Sequence, residues 1–121
     1  MVKQILVVDD SPSIRAVLTV YFSGKGFEVD DASGGRSALE KARHKNYDLI
    51  VTDQNMPGME GLSLVKSLRE LSSCHTTPIL VLTTETADEM KTAFRAAGAS
   101  GWMSKPFSPE RMDAALAKLL G

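Results

Sequence analysis

The sequence predicts an α/β protein built on a doubly wound parallel sheet, and three features carry that prediction. Short, nearly continuous runs of β-branched and other apolar residues recur along the chain, as they do in strands covered on both faces. Stretches with helical apolar spacing separate those runs, so strand and helix alternate. Polar residues gather where the apolar runs stop, which is where ligands bind in sheets of this class.

Lys3 to Val8 forms the first predicted strand. Ser11-Pro12 then opens a helix, a serine ahead of a proline being a good start signal, and Ile14, Val17, Leu18, Tyr21 and Phe22 make one apolar stripe before Gly24 and Gly26 stop it. Phe27 to Ala32 is a weaker strand, and Ser33 is placed to cap a helix carrying Ala38, Leu39 and Ala42. Asp48 to Thr52 follows as the third strand, and a helix is expected from about Leu62 to Leu71. Pro78 to Thr83 is the fourth strand, with Ala87, Met90, Phe94 and Ala97 at helical spacing beyond it until Gly98. Gly101 to Ser104 is a short fifth strand. Ser108-Pro109-Glu110 repeats the start signal before a last helix striped by Met112, Ala115, Leu116 and Leu119. Five strands alternating with five helices, joined by right-handed crossovers, place helices on both faces of the sheet.

At 121 residues, 43% hydrophobic and 24% charged, the chain has the material for one core, so residues 1–121 are read as one domain. A net charge of -1 supplies no basic field, and no nucleic-acid partner is expected. The longest apolar runs fall far short of a membrane span, and no signal-peptide block lies near Met1, so the expected location is cytoplasmic, away from the membrane. Cys74 is the only cysteine and reads as a packing residue. His44 and His75 are isolated, which argues against zinc.

The strand ends carry the chemistry. Asp9 and Asp10 end the first strand, Asp53 the third, Thr83 and Thr84 the fourth, and Lys105-Pro106 the fifth. Three carboxylates, a hydroxyl and an ammonium therefore converge on one small site. Clustered carboxylates repel one another unless a cation neutralises them, and oxygen-only ligands select a hard ion such as Mg²⁺.

With these residues in place, the chain resembles the response-regulator receiver family along essentially its whole length, in the single-domain, chemotaxis-type form. The match lies in Val7 to Ser11, Asp53 to Gly58, Val81 to Glu85, Gly98 to Gly101 and Lys105 to Phe107. The resemblance implies a flavodoxin-like (βα)5 sheet with strand order 2-1-3-4-5. It makes Asp53 the phosphoacceptor, charged by a histidine kinase. Mg²⁺ would be held by Asp10, Asp53 and the backbone carbonyl of Asn55, with Asp9 acting through bound water. It pairs Lys105 and the Thr83 hydroxyl with the phosphoryl oxygens and implies a cis Lys105-Pro106 bond. Asn55 and Glu85 resemble the positions that tune dephosphorylation. Phosphorylation is expected to move Thr83 and the switch aromatic, and so to reshape the face of the fourth helix, fifth strand and fifth helix. Two positions depart from the common pattern. Trp102 stands where tyrosine or phenylalanine is usual, and the β-branched Thr84 where a small residue is common.

A carboxylate nucleophile and charge neutralisation suit phosphoryl transfer, and the resulting mixed anhydride hydrolyses, so the signal erases itself. The chain is thus expected to catalyse only its own phosphorylation and dephosphorylation. With Gly121 as its last residue, it is expected to carry no output domain of its own and to act as a monomer on another protein, such as a chemotaxis motor switch or a phosphorelay component. Two rivals fit less well. A haloacid-dehalogenase-type phosphatase would carry its nucleophile on the first strand with a second Asp two positions on, whereas Asn55 follows Asp53. A flavodoxin-like cofactor binder needs a hydroxyl- or glycine-rich phosphate loop after the first strand, and Asp9-Asp10-Ser11-Pro12 would repel a phosphate lacking its metal.

Overall fold

A computed structural model describes residues 2–84 and 87–120. Its strands are β1 (Gln4–Val8), β2 (Glu28–Ala32), β3 (Leu49–Asp53), β4 (Ile79–Thr83) and β5 (Gly101–Ser104). Helices α1 (Pro12–Ser23), α2 (Gly35–His44), α3 (Gly61–Arg69), α4 (Asp88–Ala97) and α5 (Pro109–Leu120) alternate with them. All strand pairs are parallel, the doubly wound class that the alternation of strand and helix predicts, and the order β2-β1-β3-β4-β5 is the one the family resemblance implies.

Each face of the sheet supports its own core. Leu6, Val8, Ile50, Ile79 and Val81 point to the side covered by α2, α3 and α4, where Leu64, Leu68 and Phe94 meet them. Ile5, Val7, Leu49, Val51, Leu80 and Leu82 point the other way, against Leu18 and Phe22 of α1 and Met112 and Leu116 of α5. This division explains why β1, β3 and β4 are apolar at consecutive positions: neither side of a central strand faces water. Each fully buried aliphatic side chain contributes roughly 1.5–3 kcal/mol of transfer free energy. The two edge strands differ. β2 carries Glu28, Asp30 and Asp31, charges that discourage pairing with a further strand.

Several boundaries shift by a residue or two. Lys3, Phe27, Asp48 and Pro78 lie just outside their strands. Pro78 has no N–H for the ladder, although its carbonyl still accepts from Ile50 N (3.0 Å). Ser33 does not cap α2; Gly34 occupies that position and supplies no side-chain bond. The third helix begins at Gly61 and ends at Arg69, and Ser72–Cys74 form a 3₁₀ turn instead of extending it. Ser11 does cap α1, its Oγ accepting from Ile14 N (3.3 Å). Gly98 closes α4 at φ 104°, a left-handed conformation that side chains resist.

The α1 stripe is the largest departure. Leu18 and Phe22 are buried, but Val17 is 52% exposed and Ile14 is also exposed. These two line a groove of about 540 Å³ with Leu82, Thr84, Lys105, Pro106 and Phe107. Helical spacing identifies a face but not how far along it the core extends.

Candidate functional site

Parallel pairing places the carboxyl ends of all five strands on one rim. Val8 is in register with Thr52, so Asp9 and Asp53 follow side by side on adjacent strands. Asp53 in turn pairs with Leu82, and Thr83 with Ser104, which brings Thr83 and Lys105 to the same rim. The structure thus joins residues as far apart in the 121-residue chain as Asp9 and Lys105.

One carboxylate oxygen from each of Asp9, Asp10 and Asp53 lies within 4.8 Å of the others. Asp9 and Asp53 are buried and Asp10 is exposed, so the cluster opens to solvent on one side. Lys105 Nζ stands 2.6 Å from Asp53 Oδ1 and 3.8 Å from Asp9 Oδ2. Both oxygens are buried, and beyond these ion pairs neither has a hydrogen-bond partner among the described residues. The other Asp9 oxygen accepts from Ser11 N (2.9 Å). Burial pushes the Asp9 carboxyl above its ordinary pKa; the Ser11 N–H opposes this, Asp53 and Asp10 reinforce it, and Lys105 counters it. Orphaned oxygen acceptors, an excess of negative charge and the lack of nitrogen or sulfur donors in the cluster fit a hard divalent cation.

Other candidates fall around this cluster. Thr83 is buried at the end of β4, and its carbonyl accepts from Lys105 N (2.9 Å). Asn55 is exposed, and its Nδ2 donates to Thr84 Oγ1 (3.2 Å) across the mouth of the cleft. The Lys105-Pro106 bond is cis. Trp102 lies two residues before Ser104 on β5, partly buried against Phe94 of α4 with ring centroids 6.3 Å apart. The Arg95 guanidinium sits over its indole at 5.3 Å. Glu85 lies outside the described residues. Cys74 is fully buried, whereas His44 and His75 are exposed; none of the three is part of the acidic cluster.

Sequence reading missed the residues that hold this site in shape. Arg15 Nη1 donates to the Asp9 carbonyl (2.8 Å) while its Nε pairs with Asp31 Oδ2 (2.9 Å), bracing the turn after β1. Gln54 is buried, and its Oε1 caps α3 by accepting from Leu62 N (2.8 Å). A glutamine directly after Asp53 was the available signal. Gly61 allows the start of α3 to approach Asp53, since a Cβ there would stand 2.5 Å from the Asp53 carbonyl oxygen.

The fold and the acidic rim together define a signalling receiver of the two-component type. Residues 5–117 match the response regulator receiver domain, and the chain belongs to that family. It is 44% identical to the chemotaxis protein CheY4 of Vibrio cholerae, with a TM-score of 0.94 over 98% of this chain and 99% of that one. It is also similar to the receiver domain of the sensor histidine kinase PA1611 from Pseudomonas aeruginosa PAO1, a structure with a magnesium ion coordinated in its active-site cleft. That match has 25% identity and a TM-score of 0.90, covering 100% of this chain and 99% of that one. Among curated relatives, the alkaline phosphatase synthesis transcriptional regulatory protein PhoP of Bacillus subtilis is 38% identical over 99% of this chain and 49% of its own length. ResD of the same organism, a transcriptional regulatory protein, is 36% identical over 90% of this chain and 44% of its length. The chain thus spans about half the length of these curated relatives. No helix among the described residues is long and apolar enough to cross a membrane.

Proposed function

We propose that this receiver accepts a phosphoryl group on Asp53 from the phosphohistidine of a histidine kinase, in a Mg²⁺-dependent reaction, and signals by protein contacts in chemotaxis. The observation that carries this reading is the Asp53 carboxylate itself: buried, its Oδ1 2.6 Å from the Lys105 ammonium, and grouped with Asp9 and Asp10. Its surroundings suit a nucleophile that accepts a phosphoryl group, with Lys105 at hand to meet the added negative charge.

Asp10, Asp53 and the Asn55 carbonyl would hold Mg²⁺, with Asp9 acting through water; the ion would neutralise the incoming phosphoryl oxygens. An Asp53 oxygen attacks phosphorus as the P–N bond of the donor breaks, and the electron pair leaves with the imidazole, which takes up a proton. Lys105 moves its ammonium from the carboxylate toward the phosphoryl oxygens, and the Thr83 hydroxyl donates to one of them. Hydrolysis reverses the charge change: water adds to phosphorus, the bond to Asp53 breaks, and inorganic phosphate leaves. Asn55 and Glu85 adjust the rate of this step. The chain accordingly acts on no substrate other than its own aspartyl phosphate. The groove beside Lys105, apolar along Ile14, Val17 and Phe107, gives the donor protein a surface to rest on while its imidazole reaches Asp53.

Phosphorylation then biases a two-state equilibrium in which Thr83 and Trp102 shift and the face of α4, β5 and α5 is read by a partner such as a motor switch or phosphorelay protein. Chemotaxis is favoured as the process because the likeness to the Vibrio cholerae protein spans both chains almost fully at 44% identity. Action as a cytoplasmic monomer, without nucleic acid, completes the reading.

Incubation with acetyl phosphate should add the mass of one phosphoryl group only when Mg²⁺ is present, and the emission of Trp102, the sole tryptophan, should change with it. A wild-type protein that takes up no phosphoryl group and binds no beryllofluoride would contradict the proposal. The Asn55–Thr84 bridge should slow both entry and loss. A net hydrogen bond is worth roughly 0.5–1.5 kcal/mol, so Thr84→Val, which keeps the bulk and removes the hydroxyl, should speed acetyl phosphate labelling and dephosphorylation about two- to tenfold. If only Thr84→Ala has this effect, bulk and not the bridge sets the rate.

A further inference from the structure

The ammonium that meets Asp53 is carried by a loop, and a flexible lysine on a loop is a poor fixed charge unless its backbone is held. From the β4 side, Lys105 N donates to the Thr83 carbonyl. On the other side the whole segment Ser104–Ser108 is gripped by one side chain from the first turn of α5. Arg111 Nη1 donates to Ser104 Oγ (3.0 Å), and Nη2 donates to the carbonyls of Ser104 (3.2 Å) and Pro106 (2.6 Å). Its Nε and its backbone N–H both donate to Ser108 Oγ, at 3.3 and 3.1 Å. The carbonyls on either side of Lys105 thus end on the same guanidinium.

We propose that Arg111 is a positioning residue for Lys105, and that it links the exposed start of α5 to the reactivity of Asp53. The proposal rests on the phosphoacceptor reading above. A planar guanidinium can hold two carbonyls and a hydroxyl at fixed spacing, which an ammonium cannot do. With the backbone pinned on both sides, the conformational freedom left to Lys105 is that of its side chain alone, so Nζ is placed before the phosphoryl group arrives. Arg111 is itself exposed. A partner that engages its guanidinium would compete for the same donors, loosen residues 104–108 and change the phosphorylation equilibrium; by linkage, phosphorylation would change that partner's affinity equally.

The test is acetyl phosphate labelling of the whole chain with Mg²⁺, followed by intact mass, in a cycle of variants. Arg111→Ala should slow labelling roughly five- to tenfold, and Arg111→Lys should recover part of the loss, since one donor returns without the fork. In a Lys105→Ala background, Arg111→Ala should have no further effect. Should Arg111→Ala fail to fold, Ser104→Ala removes one acceptor and should slow labelling about twofold, again only while Lys105 is present. Equal slowing with and without Lys105, or a wild-type rate in Arg111→Ala, would overturn the positioning role and leave Asp53 as acceptor. No adduct on the wild type would overturn the phosphoacceptor reading instead, and this proposal with it.

Discussion

Asp53→Asn is expected to abolish phosphoryl uptake completely while leaving the fold intact. The change is isosteric, but it turns a charged nucleophile into a neutral amide and takes the carboxylate charge away from Lys105 Nζ, which now lies 2.6 Å from Asp53 Oδ1. It also removes one of the three carboxylates that would attract the cation, so Mg²⁺ is expected to raise the melting temperature of the wild type and to raise that of the variant less. Intact mass after acetyl phosphate treatment and a melting curve with and without Mg²⁺ check both halves. Labelling of Asp53→Asn at the wild-type rate would exclude Asp53 as the acceptor.

Gly61→Ala should be nearly as damaging, although Gly61 carries no chemistry. Its missing side chain leaves room for the backbone at the end of β3: an added Cβ would stand 2.5 Å from the Asp53 carbonyl oxygen and 2.9 Å from Gln54 Cα. Both are backbone atoms, so relief requires α3 or the Asp53–Gln54 segment to move. Gly61 N also donates to the Gln54 carbonyl (3.0 Å), which holds the two segments together. Overpacking of this kind costs about 1–3 kcal/mol. Displacing the acceptor by an ångström costs on the order of a hundredfold in rate, so phosphorylation should fall more steeply than stability. Denaturant unfolding beside labelling kinetics separates the two effects. A loss of stability with an unchanged labelling rate would show that α3, and not Asp53, absorbs the strain.

The central strands were legible because burial on both faces leaves a continuous apolar run, and the strand ends followed from them. That is why Asp9, Asp10, Asp53, Thr83 and Lys105 stood out before their distances were known. Alternation of strand and helix implied the doubly wound class, whereas the order of the strands came from family resemblance. Residues that work through geometry were not legible. Gly61 matters through a contact that it avoids, and Gln54 through a backbone N–H eight residues on. Arg111 reads in sequence as one more charge on a helix, since nothing in local spacing reveals that its guanidinium turns back onto residues 104–108. The helix starts at Gly34 and Glu60 were missed because neither residue supplies a side-chain cap. Ile14 and Val17 were placed in one apolar stripe with Leu18 and Phe22 by periodicity alone, which cannot tell a core face from a groove wall.

In the proposed switch, transmission from Asp53 would run through Trp102 and α4. Trp102 is held between Phe94 and Arg95, both on α4, so movement of the indole and of α4 should be coupled. This makes Trp102 emission a reporter of the α4, β5 and α5 face rather than of the acidic cluster itself.

The most direct test of the whole reading is the position of the covalent label. An acyl phosphate, unlike a phosphoester, is reduced by borohydride to an alcohol with loss of phosphate. Treatment of the Mg²⁺- and acetyl phosphate-loaded protein with borohydride, then peptide mass mapping, should therefore find homoserine at position 53 and only when Mg²⁺ was present. Homoserine at Asp9 or Asp10, or a phosphoryl group that survives reduction on a serine or threonine, would contradict the assignment of Asp53 as the phosphoacceptor.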